Sequence, residues 1–159
     1  MRVERRGKQF EGVIKDAFNK VDGVSIDRIH DQTTGFKGSS NICDFIVYRY
    51  PNQFYIECKT IHDNRLPFSN IPDNQWRMNE KTRIKGVSAG VICWWIDYDK
   101  TYYMPIQYLW NLRSDGKKSV SVLDVENNPK CIELKGRKKR IFFDYDLYNF
   151  LDEVISLDV

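Results

Sequence analysis

Residues 43–59 read CDFIVYRYPNQFYIECK, and this stretch decides the fold. Two runs rich in aromatic and β-branched residues, 43–50 and 53–61, flank Pro51 and Asn52. Such runs on either side of a short turn predict a β-hairpin with Pro51 and Asn52 as its loop. Because side chains alternate between the faces of a strand, one face of the hairpin is apolar. The apolar face consists of Phe45, Val47, Phe54, Ile56 and Cys58.

The other face of the predicted hairpin carries charge. With that two-residue loop, Asp44 lies opposite Lys59 and Ile46 lies opposite Glu57. Asp44 and Glu57 are then diagonal neighbours, roughly 7–8 Å apart at Cα, so their carboxylates can converge on one cation. The alternative at this point is an ordinary ion pair between Asp44 and Lys59 on a solvated strand face.

Two acids and a lysine on one face suit the hydrolysis of a phosphodiester. Adjacent carboxylates repel when both are ionised, and a divalent cation relieves that repulsion. Mg²⁺ takes oxygen ligands at about 2.0–2.1 Å and keeps several waters, so two carboxylates and a backbone carbonyl suit it. A neighbouring lysine can hold the attacking water or neutralise charge in the transition state.

The rest of the chain predicts helices on both sides of the hairpin. Apolar residues at helical spacing favour a helix over 4–22, ended by Gly23, and Asp144 or Asp146 can cap a last helix. We therefore expect an α/β domain over residues 1–159 with a mixed central β-sheet flanked by helices. The other predicted elements are strands at 24–30, 87–96 and 101–106, a loop at 31–41, and helices at 73–85 and 107–113; the segment 116–142 stays unassigned.

Composition narrows the function classes. The 159 residues carry 25 Lys and Arg against 22 Asp and Glu, a net charge of +3, so an acidic partner must be met by clustered charge. The longest nearly uncharged run, 86–96, is too short to span a bilayer. We expect a cytoplasmic protein with no membrane partner. The four cysteines have no zinc-site spacing and are expected to be reduced core residues.

Four motifs in order resemble the PD-(D/E)xK nuclease superfamily, and within it the RecU-type Holliday junction resolvases. Residues 6–14, RGKQFEGVI, resemble the N-terminal Arg-Gly-x-x-x-Glu-x-x-Ile motif of that family. Residues 43–45, CDF, and 55–59, YIECK, resemble its two catalytic strands, and 71–75, IPDNQ, its segment leading to a glutamine. The resemblance implies a restriction-endonuclease-like core and suggests a compact phage relative.

The resemblance implies a metal site. Asp44 and Glu57 would be metal ligands together with the backbone carbonyl of Cys58. Glu11, one position beside the apolar stripe of the first helix, would reach the metal directly or through a water. The implied cofactor is Mg²⁺, with Mn²⁺ as a substitute. For Glu11 the alternative is a solvated helix acid.

The resemblance implies two further catalytic roles. Lys59 would position or activate the nucleophilic water, and Gln75 would orient the site or a phosphate, the alternative for Gln75 being a surface amide. His30 and His62 are expected to be ordinary residues. Trp76 could stack on a base but is expected in the core.

The predicted activity is that of a metal-dependent endonuclease that resolves four-way junctions by paired symmetric nicks in DNA recombination and repair. The expected partner is branched DNA, bound by a homodimer through clustered basic residues; a recombinase partner is unknown. The loop 31–41 is shorter than the corresponding insertion in RecU proteins, so duplex or flap cleavage stays an alternative. A non-cleaving DNA-structure-binding protein is the second alternative. The basic clusters are Arg2, Arg5, Arg6 and Lys8; Arg77, Lys81, Arg83 and Lys85; and residues 135–140, KGRKKR.

Overall fold

The computed structural model describes residues 3–29 and 41–157. Its strands are β1 (Ser25–Arg28), β2 (Phe45–Arg49), β3 (Asn52–Ile61), β4 (Arg65–Pro67), β5 (Val87–Trp95), β6 (Lys100–Pro105), β7 (Ser119–Ser121), β8 (Ile132–Glu133), β9 (Gly136–Lys138) and β10 (Phe143–Tyr145). The main sheet has six of these strands in the order β1-β2-β3-β5-β6-β8. It is mixed, because β3 and β5 are parallel while the other neighbouring pairs are antiparallel.

Helices cover both faces of this sheet, as the sequence predicted. The helices are α1 (Val3–Asn19), α2 (Asp73–Trp76), α3 (Met78–Lys81), α4 (Ile106–Ser114), α5 (Val122–Glu126) and α6 (Phe150–Ile155). Two small antiparallel pairs, β4 with β7 and β9 with β10, complete the described architecture. No helix in the part of the chain that the structure describes is long and apolar enough to cross a membrane.

Alternation along the central strands divides the core into two layers. Trp94 and Tyr103 pack with α1 and α6 on one face, whereas Trp95, Tyr102 and Met104 pack with α2 to α5 on the other. Strand β5 is therefore buried on both faces, as its near-continuous apolar run predicted. All four cysteines are free thiols; Cys43, Cys58 and Cys93 are buried, as predicted, whereas Cys131 is only partly buried.

The prediction of one continuous helix over residues 73–85 is wrong. Trp76 and Met78 are both buried, although residues two apart lie on nearly opposite sides of an α-helix. The chain buries both by breaking at Arg77 into the short helices α2 and α3. Trp76 is a core residue, as expected.

Two helix ends also differ from prediction. Helix α1 ends at Asn19, because Lys20 and Val21 donate backbone hydrogen bonds to carbonyls three residues back and tighten the chain before Gly23. Helix α6 begins at Phe150 after Asn149, so neither Asp144 nor Asp146 caps it. Asp144 lies instead in β10, where it pairs with Lys20.

Candidate functional site

Asp44 lies immediately before β2 and is held by backbone hydrogen bonds. Its N–H donates to the carbonyl of Ile56 at 3.1 Å, and its own carbonyl accepts the N–H of Ile29 at 2.9 Å. Its carboxylate Oδ2 accepts the N–H of Cys58 at 2.8 Å. The carboxylate is therefore fixed against strand β3 where β2 begins.

The register of the hairpin corrects the predicted pairing. Arg49 pairs with Asn52, so the turn residues are Tyr50 and Pro51 and the register differs by two residues from that expected. Pro51 lies in the turn in both arrangements, because proline has no N–H to donate to the ladder. The sequence does not show whether Tyr50 or Asn52 is the second turn residue. One further step of the observed register places Asp44 opposite Glu57 rather than opposite Lys59.

A shift by two residues preserves the faces, so the acids and the lysine still share one side. Glu57 is only 3% exposed, and its Oε2 accepts Lys59 Nζ at 3.0 Å. Its Oε1 is buried and finds no hydrogen-bond partner among residues 3–29 and 41–157. A buried carboxylate oxygen without a partner is costly, which is the condition that a bound cation removes.

Glu11 brings a third carboxylate to the same place from helix α1. Its Oε1 pairs with Arg28 Nη2 at 2.8 Å, and its side chain is mostly buried. Asp44 lies close enough to form a hydrogen bond with Glu11. Sequence reasoning placed Glu11 at the helix edge overlooking the sheet, where the structure also has it.

The three carboxyls resist ionisation together. Burial, with the charge of Asp44 next in size, raises the pKa of Glu57 to about 8. The same two causes raise the pKa of Glu11 to about 7, against the opposing charge of Arg28. Burial also raises the pKa of Asp44, although the Cys58 N–H and the charge of Lys59 act in the other direction. The cluster is therefore deficient in positive charge.

These residues fit a hard divalent cation. Carboxylate and carbonyl oxygens are the donors that Mg²⁺ prefers, and the chain brings three carboxylates into electrostatic contact here. The carbonyl of Cys58 leaves β3 on the same edge as its N–H, which points to Asp44. In the described ranges, no three His, Cys, Asp or Glu side chains already stand in a metal-binding arrangement.

Arg28 is a site residue that sequence reasoning missed. Strand β1 pairs with β2 so that Arg28 lies opposite Phe45, and its guanidinium reaches both the Phe45 ring and Glu11. Arg28 also lowers the pKa of Asp44. Nothing in the chain near residue 28 signals this role, because it depends on the pairing of β1 with β2.

Gln75 lies on α2, half-buried, with no hydrogen-bond partner for its Oε1 in the described residues. Its neighbour Asn74 donates a hydrogen bond to the carbonyl of Asn41, three residues before Asp44. Helix α2 is thereby tied to the segment that carries Asp44. No hydrogen bond joins Gln75 to the carboxylates among the described residues, so its role stays a prediction.

The two histidines stand apart from this chemistry. His62 pairs through Nδ1 with Asp97 at 2.9 Å, and both side chains are exposed. His30 and the loop 31–40 lie outside the described residues.

Much of the predicted basic surface is exposed. Residues 135–140 are exposed throughout, and so are Arg77, Lys81, Arg83 and Lys85. Arg6 is an exception, since its guanidinium stacks on the rings of Trp94 and Phe142. Arg2 lies outside the described residues.

Comparison with known proteins identifies a family and gives similar solved structures. The model of the family described as recombination protein U matches residues 5–145. A similar solved structure is that of Archaeoglobus fulgidus Hjc, titled a Holliday junction resolvase from an archaeal hyperthermophile. The two chains are 20% identical, and the match covers 64% of this chain and 78% of the Hjc chain with a TM-score of 0.48. No curated protein sequence matches the chain.

Proposed function

The chain belongs to the RecU family, and from this premise we propose that it is a Mg²⁺-dependent endonuclease that resolves Holliday junctions by paired symmetric nicks. The observation that carries the proposal is the cluster of Glu11, Asp44 and Glu57 beside Lys59, in which Glu57 is buried and the other two acids are partly buried. Three carboxyls with raised pKa values form a site that gains most from a divalent cation. The family match supports the DNA substrate, and the cluster supports the chemistry.

Asp44, Glu57 and the carbonyl of Cys58 would hold the metal, with Glu11 bound directly or through a water. When bound, Mg²⁺ supplies Lewis-acid stabilisation of a phosphoryl oxygen and lowers the pKa of a coordinated water. Mn²⁺ takes the same oxygen donors and is expected to substitute.

The chain contributes positioning and charge. Lys59 is held by Glu57 at 3.0 Å, so its ammonium stays on the face where the carboxylates meet. It can donate a hydrogen bond to the attacking water or to a phosphoryl oxygen that gains charge. The backbone hydrogen bond from Cys58 fixes Oδ2 of Asp44, and the other carboxylate oxygen of Asp44 would coordinate the metal.

Paired nicks require two sites related by symmetry. A four-way junction has two-fold symmetry, so a homodimer with one site per subunit matches it. We propose this dimer on the symmetry of the substrate, and sedimentation at several protein concentrations measures it.

The test is cleavage of a mobile four-way junction beside a linear duplex of the same sequence. Reactions contain Mg²⁺, Ca²⁺ or chelator, with Asp44→Asn as the site variant and Asp16→Asn, an exposed acid on α1, as the matched control. We expect symmetric paired nicks on the junction with Mg²⁺ only, unchanged in Asp16→Asn. Asp44→Asn should lose at least about a thousandfold in rate, as expected for loss of an essential metal ligand, while binding the junction.

Each other outcome contradicts a stated part of the proposal. Equal cutting of the duplex would replace the resolvase with a general nuclease. Junction binding without cutting in Mg²⁺ would leave a DNA-structure-binding protein. Cleavage by Asp44→Asn at the rate of the parent protein would show that the catalytic site is not the cluster that contains Asp44.

A further inference from the structure

A second surface on this molecule combines an exposed indole with free cations. It is an open groove of about 650 Å³ between α4, the segment 67–73 and the turn after α4. We call it the Trp110 groove, because Trp110, which is 39% exposed, packs edge-on against Trp76 of its lining with the ring centroids 6.2 Å apart. Its volume lies in the range of small-molecule sites, about 300–1,000 Å³.

The positive charge of the groove has no internal counterpart. Arg113, Lys117 and Lys118 line it, and none of them forms an ion pair with an acidic side chain of the described residues. Asp73 is the acidic residue of the lining and leaves the groove with an excess of two positive charges. Such an excess is complementary to a phosphodiester backbone.

Aromatic rings hold the central cation in place. The guanidinium of Arg113 lies 4.5 Å from the centroid of Trp76 and 5.8 Å from that of Trp110. Trp76 is itself fixed by its indole N–H, which donates to the carbonyl of Ile71 at 2.9 Å. A planar cation and an exposed indole at one place form a surface on which an unpaired base can stack.

The groove adjoins the carboxylate site through helix α2. Pro72, Asp73 and Trp76 line the groove, while Asn74 on the same helix binds the carbonyl of Asn41 beside the Asp44 segment. Helix α2 therefore connects the groove to the segment that carries Asp44. This continuity favours nucleic acid over an acidic peptide, which would match the charge but not the exposed indole.

We propose that the Trp110 groove binds an unpaired nucleotide of a DNA strand, its base stacked on Trp110 and its phosphate held by Arg113, Lys117 and Lys118. The inference deepens the proposed function and rests on it for the choice of DNA. Branched substrates offer unpaired bases where helices meet, whereas intact duplex covers the faces of its bases. The groove therefore gives preference for branched or single-stranded DNA without touching the metal site.

The test measures binding to labelled oligothymidylate of about 12 nucleotides, to blunt duplex and to a four-way junction, in chelator. We expect Trp110→Ala to weaken oligothymidylate binding about tenfold, as for one lost stacking contact, and duplex binding less than about twofold. Trp110→Tyr should retain most of the affinity because a phenol ring still stacks. Lys117→Gln with Lys118→Gln should weaken oligothymidylate binding, whereas Lys130→Gln, an exposed lysine outside the groove, should not.

Several results would overturn the inference. Unchanged oligothymidylate affinity in both Trp110→Ala and the double lysine variant excludes the groove as a DNA site. An equal loss on duplex shows a general electrostatic patch. Displacement of oligothymidylate by an acidic peptide at lower concentration assigns the groove to a protein partner. If Trp110→Ala does not fold by circular dichroism, the lysine pair decides the outcome.

The two proposals fail separately. Failure of the proposed function leaves a protein that cuts no DNA, yet its oligothymidylate binding still depends on Trp110. Failure of the groove leaves a junction nuclease that needs Asp44 and is indifferent to Trp110.

Discussion

Glu57 shows how a single residue couples stability to pH and metal. Its carboxyl is buried next to Asp44, and Lys59 offsets only part of the cost. The folded protein therefore binds the Glu57 proton more tightly than the unfolded chain does. The stability of the folded protein therefore depends on pH through this carboxyl, and a bound cation would favour its ionised form.

We predict that the metal-free protein loses stability as pH rises. The pKa of Glu57 goes from its ordinary 4.5 to about 8, so its contribution is complete below 4.5 and is lost as pH rises through 8. Urea unfolding in chelator between about pH 5 and about pH 8.5 measures the slope. Glu57→Gln should flatten it in part, because Glu11 has a raised pKa as well.

The control for this experiment is Glu80→Gln, an exposed acid on α3. It should keep the slope of the parent protein, and Mg²⁺ should restore stability to the parent at high pH but not to Glu57→Gln. A slope of the same size in Glu57→Gln would show that this carboxyl does not titrate in the folded state as inferred.

At the level of elements, β5 is the strand on which both core layers depend. It pairs with β3 along one edge and with β6 along the other, and every side chain from Ala89 to Trp95 is buried. Gly90 lies where β6 approaches most closely. A Cβ on Gly90 would lie 2.4 Å from a ring carbon of Tyr103 and 2.6 Å from the carbonyl oxygen of Met104.

We predict that Gly90→Ala destabilises the fold by about 1–3 kcal/mol, as overpacking of a rigid core does. The backbone carbonyl of Met104 cannot move aside without breaking the ladder between β5 and β6. The matched control is Gly12→Ala on α1, where a Cβ meets nothing within 4 Å. There we expect a gain of about 0.5–1 kcal/mol from helix propensity.

Chemical denaturation of the two alanine variants measures both changes. If Gly90→Ala is as stable as the parent, β5 and β6 are not packed as closely as described.

Over the molecule as a whole, charge is distributed unevenly, so the protein can bind a polyanion although its net charge is only +3. Three of the acidic side chains, those of Glu11, Asp44 and Glu57, meet at the site, and basic side chains form exposed clusters. The exposed run 135–140 is an example, although Lys138 in it is already engaged by Asp99 and the carbonyl of Ile141. Its free members are therefore the ones that can meet phosphates.

We predict that Lys139→Gln with Arg140→Gln weakens binding to junction and duplex by similar factors. Each lost phosphate contact should lower the slope of log K against log salt by about 0.9. Titrations of labelled DNA at several salt concentrations measure it, with Lys130→Gln as the single-charge control. An unchanged salt slope would show that this run faces away from the DNA.

The sequence alone predicted the central hairpin, the buried strand β5 and the shared face of Asp44, Glu57 and Lys59. Alternation along 43–59 places Asp44, Glu57 and Lys59 on one face, and a register shift by two residues leaves that result intact because the period of a strand is two. The continuous apolar run of β5 likewise predicts burial on both faces. These features are local, so neighbouring residues suffice to reveal them.

The contacts between side chains from different elements are evident only in the tertiary structure. Arg28 reaches Glu11 because β1 pairs with β2, and Trp76 and Met78 are both buried because the predicted helix breaks between them. The lining of the Trp110 groove brings residues 67–76 together with residues 113–118. Such contacts depend on how elements pack against one another, and packing follows from the shapes of distant surfaces rather than from the period of any one segment.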